Sequence, residues 1–265
     1  MNLFFRELKS YRNGLIFWCL GMAVLVGSGM AKFATIQTTG QSVTDLISQF
    51  PQSIQTIFGL TGFDLTKASG YFGVLFMYIA LMATVHAVLL GAGIISKEER
   101  DKTSEFLFVK PISRFRVITV KLSAGLINLI ILNLATFGSS IYFIDYFSKG
   151  QSYIGDVAIL MVGLLFLQLI FFFIGTMVAA VNEKPKSSAS IATAILLFTF
   201  VLTFLININI KLDQLKYLTP FKYFDARDLM ANGHLDSVYV TISLILIAFT
   251  IFLTYRSYDD RDLQI

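Results

Sequence analysis

Six long apolar runs constrain this chain more than any other feature. They cover about 14–36, 71–95, 117–144, 157–181, 191–210 and 238–255. A helix needs roughly 20 apolar residues to cross about 30 Å of hydrocarbon, and the runs have that scale. The apolar part of the first ends at Ala31, with Lys32 at its edge, and the third carries Lys121 near its start. A membrane β-barrel needs short segments of alternating polarity instead, and the sequence has none. The expectation is an all-α polytopic membrane protein, with residues 1–265 forming one six-helix transmembrane domain. Composition agrees. Apolar residues make up 55% and charged residues 14%, against about 25% charged in a soluble domain. A soluble enzyme, a disordered chain and a disulfide scaffold are excluded, and the single Cys19 cannot form an internal bridge. The formal charge of +4 is spread along a lipophilic chain and does not point to nucleic acid. The first run exceeds the h-region of a cleaved signal peptide, about 7–15 residues.

Orientation follows from where the cations fall. Of 21 Lys and Arg, fourteen lie on the side of the N-terminus, six lie on the other side, and Lys32 stands at the edge. Both termini are therefore expected in the cytoplasm. The loop 211–236 holds four of the six outer cations and weighs less because it is long.

The segments between runs carry local signals. Phe4, Leu8, Tyr11 and Leu15 recur at helical spacing, with Arg6, Glu7, Lys9 and Asn13 mostly elsewhere on the wheel. That pattern fits a short amphipathic helix on the inner leaflet, or a basic flank that only sets topology. In the outer stretch 37–70, Val43, Leu46, Ile47, Phe50 and Ile54 suggest a short helix. In the outer loop 211–236, Thr219 and Pro220 read as N-cap and first position of a helix that Asn232-Gly233 ends. Its aromatics Tyr217, Phe221, Tyr223 and Phe224 suit the membrane interface.

The inner segment 96–116 is the most informative. Ser96-Lys97-Glu98-Glu99 has the form of a capping box, and Glu98 and Lys102 stand at i,i+4 in the favourable order. Phe106, Leu107 and Val109 are apolar, Pro111 stops the helix, and Ser113 can cap the next one. The expectation is a cytoplasmic helix of about three turns, charged at one end and apolar at the other. It is either a solvated loop or a docking surface, and the apolar end favours docking. The turn at 182–190 offers a smaller cytoplasmic contact.

Little in the sequence carries chemistry. There is no G-x-x-x-x-G-K-[ST] phosphate loop. The two His and one Cys lie too far apart for a metal motif. An intramembrane protease would have to use Ser139 or Ser140 with His86 as base, and nothing in the sequence brings them together. Asp and Glu fall in loops and tails, so the acids that ion-coupled carriers keep among their spans are missing. His86, Asn128, Asn133 and Gln168 are the main polar groups inside the runs. They either hydrogen-bond between helices or line a substrate path. Energy for any transport is expected to arrive from outside the chain.

The ordered string from Glu98 to Leu107, then Lys110-Pro111-Ile112-Ser113-Arg114, then Lys121, resembles the ABC-2 family of ATP-binding-cassette transporter permeases. In that family an acidic-basic stretch precedes Gly-Thr, a Glu-Leu-Leu-like segment, Pro-x-Ser-Arg and a Lys in the next helix. Here Lys102 replaces the Gly before Thr103, and Phe106 stands where Leu is usual. Residues 218–225 are similar to the family's segment before the last span. The resemblance implies a permease without catalysis of its own. Two such chains, identical or paralogous, would form the path, and two separate ATPase subunits would bind the ATP and Mg²⁺. It makes 96–116 the coupling segment, with Glu98, Glu99, Arg100, Lys102, Thr103, Glu105, Phe106, Leu107 and Arg114 as its contact residues. It further implies export across a bacterial plasma membrane of antimicrobial peptides, drugs, lipids or polysaccharides. A stand-alone ion-coupled carrier and an intramembrane enzyme are the competing readings.

Overall fold

The computed structural model of the chain describes residues 3–38, 50–57, 60, 63–100, 113–148 and 153–260. In chain order these form α1 (Leu3–Thr38), α2 (Gln52–Ile57), α3 (Ala68–Arg100), α4 (Arg114–Ser148), α5 (Ile154–Val181) and α6 (Ser188–Ile208). A 3-10 helix (Ile210–Leu218), α7 (Pro220–Tyr223), α8 (Ala226–Asn232) and α9 (Ser237–Asp259) follow. Among the described residues there is no strand. Six helices, α1, α3, α4, α5, α6 and α9, are long and apolar enough to span a membrane, and they coincide with the six apolar runs. The chain is a multi-pass membrane protein.

The helices outrun the apolar runs at several ends. Residues 3–13 are helical but continue into the first span without a break, so α1 is one helix of 36 residues, about 54 Å long at 1.5 Å per residue. Phe4, Leu8, Tyr11 and Leu15 pack against the core along this extension.

The capping box at Ser96 is not used as one. α3 runs through Ser96 to Arg100, and the Ser96 hydroxyl donates to the Ala92 carbonyl at 2.7 Å. A serine inside a helix commonly bonds back in this way. Ser113 does cap α4: its Oγ accepts from the Arg116 N–H at 3.3 Å. Thr219 precedes Pro220 as expected, yet it makes no cap bond. Its hydroxyl instead donates to the Thr199 carbonyl of α6 at 2.8 Å. The segment 219–232 is two short helices rather than one, because Asp225 caps a new start by accepting from the Arg227 N–H at 3.1 Å. Gly233 ends α8 at φ 68°, in the left-handed region.

α3 and α5, parallel by the order of the spans, form the centre of the bundle. Their backbones touch. A Cβ on Gly91 would lie 2.2 Å from the Phe172 carbonyl oxygen, and one on Gly175 would lie 2.5 Å from that of Val88. Small residues at such a crossing are the membrane's substitute for a hydrophobic driving force between helices. α4 packs against α1, α3 and α5; α6 lies on α3 and α5; α9 lies mainly on α5. Ser243, Thr250, Thr254 and Tyr258 form the buried face of α9.

Candidate functional site

The two helices that flank the inner segment are tied together at its roots. Glu98 sits on the last turn of α3 and Lys121 two turns into α4. The Lys121 ammonium is fully buried and donates to Glu98 Oε2. It also donates to the Ile94 carbonyl at 2.6 Å. An ion pair taken out of water is stable only when such additional bonds satisfy it. Glu98 was expected at the solvated start of a separate helix; instead its side chain is 11% exposed. Burying it follows from α3 continuing past Ser96, which turns Glu98 toward α4.

The helices α1 and α9 join the same collar. Lys97 donates to Ser10 Oγ of α1, and its ammonium lies 5.2 Å from the centre of the Tyr11 ring. Arg114, the first residue of α4, donates to the Asp259 carbonyl of α9 at 2.7 Å. Thr119 Oγ1 and Tyr255 Oη are hydrogen-bonded at 2.9 Å. Half-buried Glu99 and exposed Arg100 complete the last turn of α3. Lys102, Thr103, Glu105, Phe106 and Leu107 lie outside the described residues, as do Val43, Leu46 and Ile47 of the outer stretch. The first turns of α1, the end of α3, the start of α4 and the C-terminal end of α9 thus share one end of the bundle.

Of the polar groups among the spans, Asn128, Asn133 and Gln168 bond within or between helices, whereas the buried His86 Nδ1 and Ser140 Oγ have no partner among the described residues. Asn133 Nδ2 of α4 donates to Gln168 Oε1 of α5 and to the Met161 carbonyl, each at 3.1 Å. Asn128 Nδ2 donates to Ala124 O of its own helix at 2.8 Å. His86 is buried on α3 against Trp18 of α1, ring centres 5.2 Å apart. With Glu98 level with Lys121, His86 is level with Asn133, and Ser140 lies seven residues, about 10 Å, farther along α4. Ser139 Oγ donates to the Thr136 carbonyl at 3.0 Å. No serine–histidine couple is assembled among the described residues. Nor do three His, Cys, Asp or Glu side chains there converge on a point that could hold a metal ion.

At the opposite end α7 and α8 press an aromatic surface onto the bundle. Phe224 stacks on Phe166 with ring centres 5.5 Å apart, and Phe221 meets Phe171 at 5.2 Å and Phe200 at 5.1 Å. A cavity of about 70 Å³ remains beneath, with Phe76, Leu167, Phe200, Asn207, Phe224 and Arg227 among its walls. Asp225 is held by Arg227 at 2.9 Å and by Lys222 at 3.2 Å. Burial alone would raise its carboxyl, but the Arg227 hydrogen bond and the two cations outweigh burial and hold it below the ordinary value. Asp228 moves up, through burial and then the neighbouring Asp225 charge.

Sequence reasoning placed Lys121 correctly but missed what it binds. The available signal was its position: a lysine inside an apolar run requires an acid within reach, and Glu98 is the acid that α3 brings there. The pair also corrects the expectation that the acids stay in loops and tails, since one lies between two spans, where α3 ends and α4 begins.

Comparison with family models matches residues 1–263 to the one described as ABC-2 family transporter protein. Comparison with curated proteins gives no match.

Proposed function

The chain belongs to the ABC-2 transporter family and is a membrane transport permease; from that footing we propose that it is the membrane-spanning half of an ATP-driven exporter. In this reading it pairs with a second permease chain above two ATPase subunits, with both termini on the ATPase side of a bacterial plasma membrane. ATP and Mg²⁺ bind to those subunits, and the cargo is an amphiphile such as an antimicrobial peptide, a drug or a lipid.

The observation that carries the reading is the buried Glu98–Lys121 pair. It closes the base of the segment between α3 and α4, so force applied to that segment reaches both helices at once. Phe106 and Leu107 supply an apolar anchor for an ATPase groove, Glu99, Arg100, Lys102, Thr103, Glu105 and Arg114 set its polar surroundings, and Glu98 acts from within by holding Lys121. Lys97 carries displacement to α1 and Arg114 carries it to α9. His86, Asn128, Asn133 and Gln168 act as interhelical and intrahelical ties that keep the spans in register, rather than as the path itself.

The test is to purify Phe106→Ala through a tag on this chain and measure the ATPase that accompanies it. Loss of a buried aromatic anchor commonly costs on the order of 2 kcal/mol, roughly thirtyfold in affinity. Wild-type ATPase recovery with wild-type transport would reduce the segment to a solvated loop.

A further inference from the structure

A groove of about 450 Å³ runs between α4 and α9 at the collar end of the bundle, lined by Phe115, Ile118, Phe252, Tyr255, Arg256 and Asp259. Its walls are apolar and open outward: Phe115 is 67% and Phe252 57% exposed. Its back is fixed. Tyr255 is held by Thr119 at 2.9 Å, and its ring lies against Phe115 with centres 4.9 Å apart. Phe252, Arg256 and Asp259 recur at i, i+4 and i+7, so they share one face of α9 with the apolar residue deeper along the helix and the charges at its end.

The charges at the mouth are of both signs and weakly used. Arg256 is 69% exposed, and its acid neighbour Asp260 stands at 4.0 Å. Asp259 engages Arg114 through its backbone carbonyl, and among the described residues no cation pairs with its carboxylate. Hydrocarbon walls with a guanidinium and a carboxylate at the water level match a molecule with an acyl chain, a phosphate and a cation one short linker away. A purely anionic headgroup would meet the Asp259 carboxylate, and a quaternary ammonium could not donate a hydrogen bond to it.

We propose that this groove binds one phospholipid with a primary-ammonium headgroup, its phosphate on Arg256, its ammonium on Asp259 and an acyl chain along Phe115, Ile118 and Phe252. The lipid is a resident of the fold rather than cargo. The assignment rests on the six helices crossing a bilayer, and not on the ATPase, the second permease chain or the direction of transport.

Native mass spectrometry of the full-length protein, delipidated and re-equilibrated with phosphatidylethanolamine, phosphatidylcholine or phosphatidylglycerol, tests it. Wild type retains one phosphatidylethanolamine about tenfold better than the other two, the scale of one hydrogen bond to a charged group. Asp259→Asn abolishes that preference while lipid is still retained, and Arg256→Gln weakens retention of all three. Equal retention of phosphatidylcholine, better retention of phosphatidylglycerol, or an unchanged preference in Asp259→Asn overturns the proposal. None of these readings depends on whether an ATPase copurifies.

Discussion

Replacing Lys121 by methionine removes one half of the buried pair and leaves the other half in place. Breaking such a pair costs about 3–5 kcal/mol, because the remaining charge stays buried without compensation. The two halves differ in access to water. Glu98 keeps 11% of its side chain exposed, while Lys121 has none. Lys121→Met therefore belongs near the lower end, about 3 kcal/mol, since the carboxylate can still be partly hydrated. Glu98→Leu leaves a fully buried ammonium with only the Ile94 carbonyl, and belongs near the upper end, about 5 kcal/mol. The double variant removes both charges and keeps the volume, so it should return close to wild-type stability. Unfolding titrations of the purified protein in mixed micelles, followed by helical circular dichroism, give the four corners of this cycle. The reasoning is refuted if either single variant stays within about 0.5 kcal/mol of wild type, or if the double variant is as destabilised as the sum of the two.

The glycine contact gives a second test. Gly91→Ala should lose about 1–3 kcal/mol by pushing α3 from α5, whereas Gly93→Ala, with nothing within 4 Å of the new Cβ, should be neutral; equal effects on unfolding midpoints would contradict the crossing. Asp225 lies below its ordinary 3.8 in the folded protein, so its contribution is complete above that value and is lost as pH falls through the lower folded value. Hydrogen-exchange protection across 219–232, taken relative to the intrinsic rate at each pH, should stay high at neutral pH and fall only below about pH 4, while Asp225→Asn should be less protected throughout; protection that already falls by pH 6 would break the argument. Single cysteines at Lys9, Lys186 and Asp260 in a Cys19→Ser background should resist an impermeant thiol reagent in intact cells, and one at Gln214 should react; the reverse pattern would invert the topology.

The spans were legible because hydrocarbon imposes a length and a composition that no other context demands. Their ends were not. Nothing in residues 3–13 announces that the helix continues into the bilayer, since an amphipathic flank reads the same whether it bends or runs straight. Ser96-Lys97-Glu98-Glu99 was misread for a related reason. A capping pattern specifies a start only if the preceding residues are not already helical, and here the Ser96 hydroxyl found the Ala92 carbonyl first. Thr219 shows the same competition, with a carbonyl on α6 winning over the cap. Asn133 and Gln168 were legible as interhelical hydrogen-bonding groups, and they do bond to one another, but their pairing across 35 residues could not be read from one sequence. Glu98 and Lys121 are separated by 23 residues, and only the need to neutralise an intramembrane lysine linked them.

The direct backbone contact at Gly91 and Gly175 also limits how this bundle can change shape. Helices that meet through side chains can slide by exchanging rotamers, whereas helices that meet carbonyl to Cα have no soft layer between them. α3 and α5 must then travel as a single two-helix strut. Relative shear falls to α1, α6 and α9, whose apolar windows are only 17%, 28% and 17% buried within the chain. A cross-link between α3 and α5 should leave the working cycle intact, while one that pins α6 or α9 to the strut should arrest it.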